Sequence, residues 1–169
     1  VENVGDYVQD RPTVATVVSA QSGQIVADQL QLVSTTGKTG LALTLGAPRV
    51  APHWYFGQTT NPAAAGSSLS FMLSNPGPTA ENAVITVGLT QGGVAPVTVP
   101  VPARSVVPFT ATTANRIPRL VPYSVAISSA GGSGLVVARE VIGPDGATQP
   151  GFGTMLGTPQ TTNHWLVPA

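Results

Sequence analysis

The sequence predicts an all-β protein, an Ig-like antiparallel β-sandwich, and three observations lead to that prediction. Apolar residues alternate with polar ones over short stretches. No window of a dozen residues has a helical period free of Gly and Pro, and turn-forming residues separate the stretches at short intervals. Many short strands bounded by turns favour a sandwich over a barrel.

The clearest strand patterns lie in the middle of the chain. Leu69, Phe71 and Leu73 alternate with their neighbours, and residues 83–89 repeat the pattern. Residues 97–101 alternate as well, but Pro100 has no amide hydrogen to donate, so this segment is predicted to be an edge strand or to end in a bulge. The β-branched stretches 124–129 and 135–141 flank a glycine-rich segment, 130–134, that is predicted to be a hairpin loop.

The chain also contains an internal repeat. An offset of 111 residues aligns positions 14–58 with positions 125–169 without a gap, and 12 of the 45 aligned pairs are identical. Chance matches of Gly, Val and Ala account for about half of these identities. They do not account for both Trp and both His of the chain, or for Leu-Gly-x-Pro at 45–48 and 156–159.

The repeat predicts the domain organisation. One period has the size of a sandwich domain, so the chain is expected to hold one complete unit, residues 51–169, and the C-terminal half of a preceding homologous unit, residues 1–50. A half-unit of this size buries too little surface to be stable alone. It is expected to pack on the complete unit, to pair with another chain, or to continue a larger protein.

Composition excludes several classes of partner. The formal net charge is zero and 8% of residues are charged, so no basic cluster exists to bind nucleic acid. No run of about 18 apolar residues could span a bilayer, and the absence of Cys excludes disulfides and thiolate ligands. The first residues lack the basic and apolar segments of a signal peptide, so any export signal is expected outside these residues.

No pattern in the sequence indicates catalysis, a metal or a cofactor. Two catalytic carboxylates must be held a few ångströms apart, whereas Asp145 is explained by a Gly-Pro-Asp-Gly turn and Asp28 aligns with Arg139. No Gly-x-Ser-x-Gly elbow is present, and the two His cannot complete a zinc site of three or four ligands. We therefore predict a protein without catalytic residues.

The candidate ligand-binding residues are aromatic. His-Trp-Tyr-Phe at 53–56 could offer ring faces to a sugar. Alternatively, alternate members of this segment enter the cores of adjoining units and stiffen their junction, which the recurrence of Trp at one repeat position favours. The candidates, including the repeat counterparts, are His53, Trp54, Tyr55, His164 and Trp165.

Five motifs follow one another along the chain: His-Trp-Tyr-Phe-Gly at 53–57, Phe-Met-Leu-Ser-Asn-Pro-Gly at 71–77, the strand pattern at 83–87, Val-Pro-Val-Pro-Ala-Arg-Ser at 99–105 and Val-Val-Ala-Arg-Glu at 136–140. In this order they resemble the bacterial domain-of-unknown-function family 5719, an exported repeated β domain found mainly in actinobacteria. The resemblance implies a secreted or membrane-anchored protein, often encoded near envelope glycosyltransferases, and it supplies no catalytic residues.

These observations predict a non-catalytic, extracytoplasmic scaffold or protein-interaction module of the cell envelope. Its expected partner is an envelope protein, such as a membrane glycosyltransferase, docked through a sheet edge or an apolar face. A carbohydrate-binding module that recognises cell-wall polysaccharide through exposed aromatics is the alternative. A third class, a hydrolase, would have to use carboxylates such as Asp28, Glu81 and Glu140.

Overall fold

The computed structural model describes residues 2–9, 13–35, 38–62, 65–112, 117, 119–144 and 151–163. In these residues a single-turn 3-10 helix, Val4–Asp6, precedes ten strands. The strands are β1 (Asp28–Thr35), β2 (Lys38–Leu45), β3 (His53–Thr60), β4 (Ser68–Asn75), β5 (Glu81–Leu89), β6 (Val97–Val101), β7 (Ser105–Thr110), β8 (Pro122–Ser129), β9 (Val136–Ile142) and β10 (Phe152–Leu156).

Eight of these strands form the predicted antiparallel β-sandwich. One sheet has the order β10-β9-β4-β7 and the other has the order β3-β8-β5-β6. Strands β1 and β2 form a separate two-stranded sheet. The expectation of an all-β, Ig-like sandwich is therefore confirmed.

The core of the sandwich includes the apolar side chains of the alternating pattern that the sequence analysis described. On β4, Leu69, Phe71 and Leu73 are fully buried, and on β5 and β8 Ile85 and Ile127 are buried as well. Full burial of one such side chain contributes about 1.5–3 kcal/mol to stability. The alternation of apolar and polar residues thus decides which face of each strand points inward.

Two of the three strands that contain proline lie at sheet edges, whereas β8, inside its sheet, has Pro122 as its first residue. β6 ends one sheet and pairs only with β5, where Pro100 lies opposite Asn82. β7 ends the other sheet and pairs only with β4, where Pro108 lies opposite Met72. The edge prediction for residues 97–101 is confirmed, because the missing amide hydrogen of Pro100 is tolerated where no further strand requires it.

The hairpin predicted around residues 130–134 is wrong. β8 and β9, which this segment joins, belong to different sheets and do not pair with each other. The glycine-rich segment is a crossover between the sheets. Gly132 and Gly134 both have positive φ angles, and a Cβ on Gly134 would lie 3.1 Å from the backbone of Ala51.

A buried carboxylate holds this crossover in place. Glu81, at the start of β5, is only 6% exposed. It accepts hydrogen bonds from the Ser129 hydroxyl at 2.6 Å and from the Gly131 amide at 3.1 Å, and the Ser129 hydroxyl accepts one from the Gly134 amide at 3.2 Å. Side-chain hydrogen bonds from Ser129 and Ser133 lower the pKa of Glu81, because they stabilise its charged form.

The N-terminal region forms only part of the structure that the aligned C-terminal residues form. Residues 14–18, the counterpart of 125–129 in β8, belong to an irregular segment, 13–27. The β1–β2 hairpin occupies the place of β9–β10, with a register one residue different: Leu156 pairs with Ala138, whereas its counterpart Leu45 pairs with Asp28 rather than Ala27. The division into residues 1–50 and 51–169 remains a prediction.

We expect Glu81→Gln to lower the melting temperature at neutral pH. Because the folded-state pKa of Glu81 lies below the ordinary 4.5, its charged form stabilises the fold above that value. The stabilisation is lost as the pH falls from 4.5 through the lowered pKa. Thermal unfolding across this range should therefore show the variant and the parent converging in acid.

Glu140→Gln is a control for which we expect the opposite change in melting temperature. Burial raises the pKa of Glu140, so its charged form destabilises the fold at neutral pH. This variant should melt higher than the parent at neutral pH, and the gain should vanish as the pH falls through the raised pKa. Equal melting temperatures of Glu81→Gln and the parent at neutral pH would contradict the anchoring role.

Candidate functional site

The aromatic segment of β3 alternates between core and surface. Trp54 and Phe56 are buried, whereas His53 is exposed and Tyr55 is half-buried. The Trp54 indole nitrogen donates a hydrogen bond to the Leu135 carbonyl at 2.8 Å. With 3% of its surface exposed, Trp54 has no ring face available to a sugar in this structure.

His53 and Tyr55 lie side by side on the outer face of β3. The rings of His53 and Tyr55 are stacked, with centroids 6.3 Å apart and an angle of 24° between their planes. The backbone of Tyr55 exchanges two hydrogen bonds with Thr158, which connects β3 to the segment after β10. His164 and Trp165 lie outside the described residues. Of the five candidates, His53 and Tyr55 are the ones brought together at the surface.

Close packing explains why the Leu-Gly-x-Pro motif at 156–159 has a glycine at position 157. A Cβ on Gly157 would lie 2.8 Å from Phe56 Cζ and 3.2 Å from Trp54 Cε3. The Gly157 amide also donates a hydrogen bond to the Val137 carbonyl at 3.1 Å. The aromatic segment and this motif therefore pack together, so residues that recur in the repeat serve the architecture here.

Two polar side chains, on strands of different sheets, were not identified from the sequence. Arg139 on β9 and Tyr123 on β8 have buried atoms, Nε and the phenol oxygen respectively, that make no hydrogen bond. Burial raises the pKa of Tyr123 to about 12, an effect that the charge of Arg139 partly offsets. Burial also lowers the pKa of Arg139. The signal for this pair would have been a charged residue at a core-facing strand position.

The guanidinium of Arg139 lines a cleft of about 140 Å³. Its Nη2 donates to the Met155 sulfur at 2.8 Å, a weak acceptor. A guanidinium with an unused donor is chemically suited to carboxylates and other oxyanions. The residues that line the cleft are Arg139, Val141, Gly153, Thr154 and Met155.

The described part of the chain has an exposed apolar surface on the β1–β2 hairpin, the leucine face, defined here as Leu30, Leu32, Leu41, Leu43 and Leu45. Leu30 lies opposite Leu43 and Leu32 opposite Leu41, so these side chains share one face of the β1–β2 hairpin. Each of the five is 61–75% exposed. Together they form one contiguous apolar surface on the hairpin.

The opposite face of the hairpin packs on the sandwich. Ala42 is buried, and the Thr44 hydroxyl donates a hydrogen bond to the Thr154 carbonyl at 3.3 Å. A Cβ on Gly40 would overlap with that of Phe152. Small residues on this face therefore let β2 approach β10 closely, and the leucines remain on the face turned away.

Within the described residues, no group of three or more His, Asp or Glu side chains could hold a metal ion. In the same part of the chain, no helix has the length and apolar character needed to cross a membrane.

Gly157→Ala should destabilise the fold by about 1–3 kcal/mol, because the added methyl group meets two buried aromatic rings. Gly153→Ala, four residues earlier on β10, is the matched control, since nothing lies within 4 Å of its Cβ position. The control should be near neutral or slightly stabilising. Urea unfolding measures both, and equal stabilities of the two variants would contradict the packing described for Gly157.

Arg139→Met should raise stability by about 1–2 kcal/mol, because it replaces a partly buried, incompletely paired charge with an apolar side chain of similar length. Arg49→Met, at an exposed position, should change stability by less than about 0.5 kcal/mol. Urea unfolding provides the measurement. A clear loss of stability in Arg139→Met would show that the guanidinium makes a favourable interaction in the folded protein.

No family model and no curated protein matches the chain. Among solved structures it is similar to the crystal structure of Thermotoga maritima 1070, with a TM-score of 0.58 and 18% identity, over 66% of this chain and 96% of that chain. It is also similar to the Anabaena sensory rhodopsin transducer, with a TM-score of 0.48 and 20% identity, over 54% of this chain and 87% of that chain. The first similarity supports the β fold and does not extend to activity.

Proposed function

We propose that the chain is a non-catalytic scaffold or protein-interaction module that acts outside the cytoplasm, in the cell envelope. The observation that carries this proposal is the leucine face. Five leucines on one face of the hairpin offer a neighbouring polypeptide a contiguous apolar contact. The largest apolar patch of a monomer often has a function.

The composition of this face supports a protein partner. Asp28, at one end, is the charged residue among those that the register places on it, and the cores of protein interfaces are likewise depleted of charge. The resemblance to domain-of-unknown-function family 5719 supports an exported protein whose partner is an envelope protein, such as a membrane glycosyltransferase.

A carbohydrate-binding module is the second candidate, favoured by the stacked His53 and Tyr55 rings on the outer face of β3. Because Trp54 is buried, this candidate depends on Tyr55 and His53 in the described part of the chain. A sugar would stack on the exposed side of these rings.

Crosslinking in an actinobacterial envelope fraction, followed by mass spectrometry, tests the two candidates. We expect the chain to capture an envelope protein and Leu32→Asp/Leu43→Asp to lose most of that capture. Val17→Asp/Val26→Asp is the matched control, because it places two acids on other exposed apolar residues. Capture that survives the leucine changes would contradict the proposal. Binding of cell-wall polysaccharide that is lost in Tyr55→Ala would favour the second candidate.

A further inference from the structure

Arg139 occupies a position of β9 at which the sandwich otherwise buries apolar side chains. Its register partner on β4 is Phe71, which is fully buried. On the same face of β9, Val137 is fully buried and Val141 packs against the core. A half-buried charge without an opposite charge beside it costs stability. Proteins break such packing rules mainly at functional sites.

The hydrogen-bond donors of the Arg139 guanidinium are poorly used. Nη2 donates to the Met155 sulfur at 2.8 Å, and Nε, although buried, makes no hydrogen bond. The charged group that acts on the pKa of Arg139 is the phenol of Tyr123, and no carboxylate of the described residues contributes to it. A thioether is neutral and a weak acceptor. In the described part of the chain, the positive charge therefore has no anionic partner.

The free side of this guanidinium has the geometry of a carboxylate site. The Nε and Nη2 hydrogens of a guanidinium project in parallel, at a spacing that matches the two oxygens of a carboxylate. Met155 lies directly opposite Arg139 in the β9–β10 register, and its sulfur lies against Nη2. We propose that the cleft beside Arg139 binds a small carboxylic acid with a short apolar chain, whose carboxylate displaces the Met155 sulfur and pairs with Nε and Nη2.

The size and the lining of the cleft define this ligand. Its volume of about 140 Å³ has room for about six non-hydrogen atoms, because an engineered cavity of ~150 Å³ binds benzene. Val141, Gly153 and Met155 give it apolar walls beside the guanidinium and Thr154. One guanidinium balances the single charge of a carboxylate, whereas the second charge of a phosphate would remain unpaired beside these walls.

Met155 provides the way into the cleft. It lies on β10, an edge strand, and its side chain is 46% exposed. A methionine side chain is flexible and readily adopts other rotamers. Charge-assisted hydrogen bonds to a carboxylate are stronger than the one to the sulfur that they replace. Met155 is therefore a displaceable cover over the guanidinium.

The cleft and the leucine face are separate sites. Alternate residues of a strand point to opposite faces, and Met155 of β10 lines the cleft. Phe152, on the other face of β10, meets Gly40 of the β1–β2 hairpin. A ligand in the cleft therefore leaves the leucine face free for a protein partner, and the two sites can be tested independently.

Butyrate, an acid of this size, is the probe, and NMR of the isotope-labelled chain at neutral pH measures its binding. We expect the Arg139 Nε–H signal and the Met155 methyl signal to shift with one common half-saturation in the millimolar range. The methyl group of Met72, on β4, is the internal control and should not shift. Inorganic phosphate and 1-butanol should each need at least about tenfold higher concentrations, since one lacks the apolar chain and the other the charge.

Three variants of the site have distinct expected results. Arg139→Met should abolish the butyrate shift of the Met155 methyl signal in a folded protein, because this change is expected to raise stability. Arg139→Lys keeps the charge but loses the parallel donors, so its half-saturation should rise at least about tenfold. Met155→Leu keeps an apolar wall and removes the sulfur, so it should bind butyrate at least as tightly as the parent. Arg49→Met, at an exposed position, is the matched control and should bind like the parent.

Three results would overturn the inference. One is the absence of shifts at Arg139 and Met155 up to about 100 mM butyrate, at which a millimolar site is nearly full. Another is equal or tighter binding of phosphate or 1-butanol. The third is an Arg139 Nε–H signal that butyrate leaves in place and Asp145→Asn moves. A carboxylate of the chain itself, from outside the described residues, would then hold the guanidinium. None of these results affects the proposed function, which depends on capture through the leucine face.

Discussion

The burial of β4 between its two neighbours and beneath the opposite sheet is the interaction on which the rest of the sandwich depends. β4 pairs with β7 and β9 at once, and its inward side chains, including Phe71, form the centre of the core. The Phe71 ring meets Phe56 of the other sheet edge to face, with centroids 5.0 Å apart. Because β9 follows β4 by some sixty residues, this pairing can form only when the whole intervening chain is present.

The same constraint explains the two different states of the repeated segment. Strands β8, β9 and β10 of this segment lie in the two sheets of the sandwich, where β8 pairs with β3 and β5 and β9 pairs with β4. Near the N-terminus, the β1–β2 hairpin forms because its pairing is local, and the segment before it stays irregular. The register of the hairpin also differs by one residue from that of β9–β10.

Most chemically distinctive residues of the chain serve the architecture. Trp54 connects β3 to the end of the crossover through Leu135, and Glu81 orders the crossover itself. The carboxylate of Glu81 is surrounded by hydrogen-bond donors that favour its charged form, which makes it a poor proton donor. Two features have no evident role in holding the sandwich together: the exposed ring of His53 beside Tyr55 and the leucine face.

The sequence by itself determined the fold class, the strands at 69–73 and 83–89 and the edge position of the strand with Pro100. These properties follow from the period of two and from the missing amide hydrogen of proline, both of which are local. Only the tertiary structure decided that the segment at 130–134 crosses between sheets, that Arg139 and Tyr123 come close enough to interact electrostatically, and that the five leucines share one exposed face. Each of these depends on which distant strands become neighbours and in what register, and local patterning carries no record of that choice.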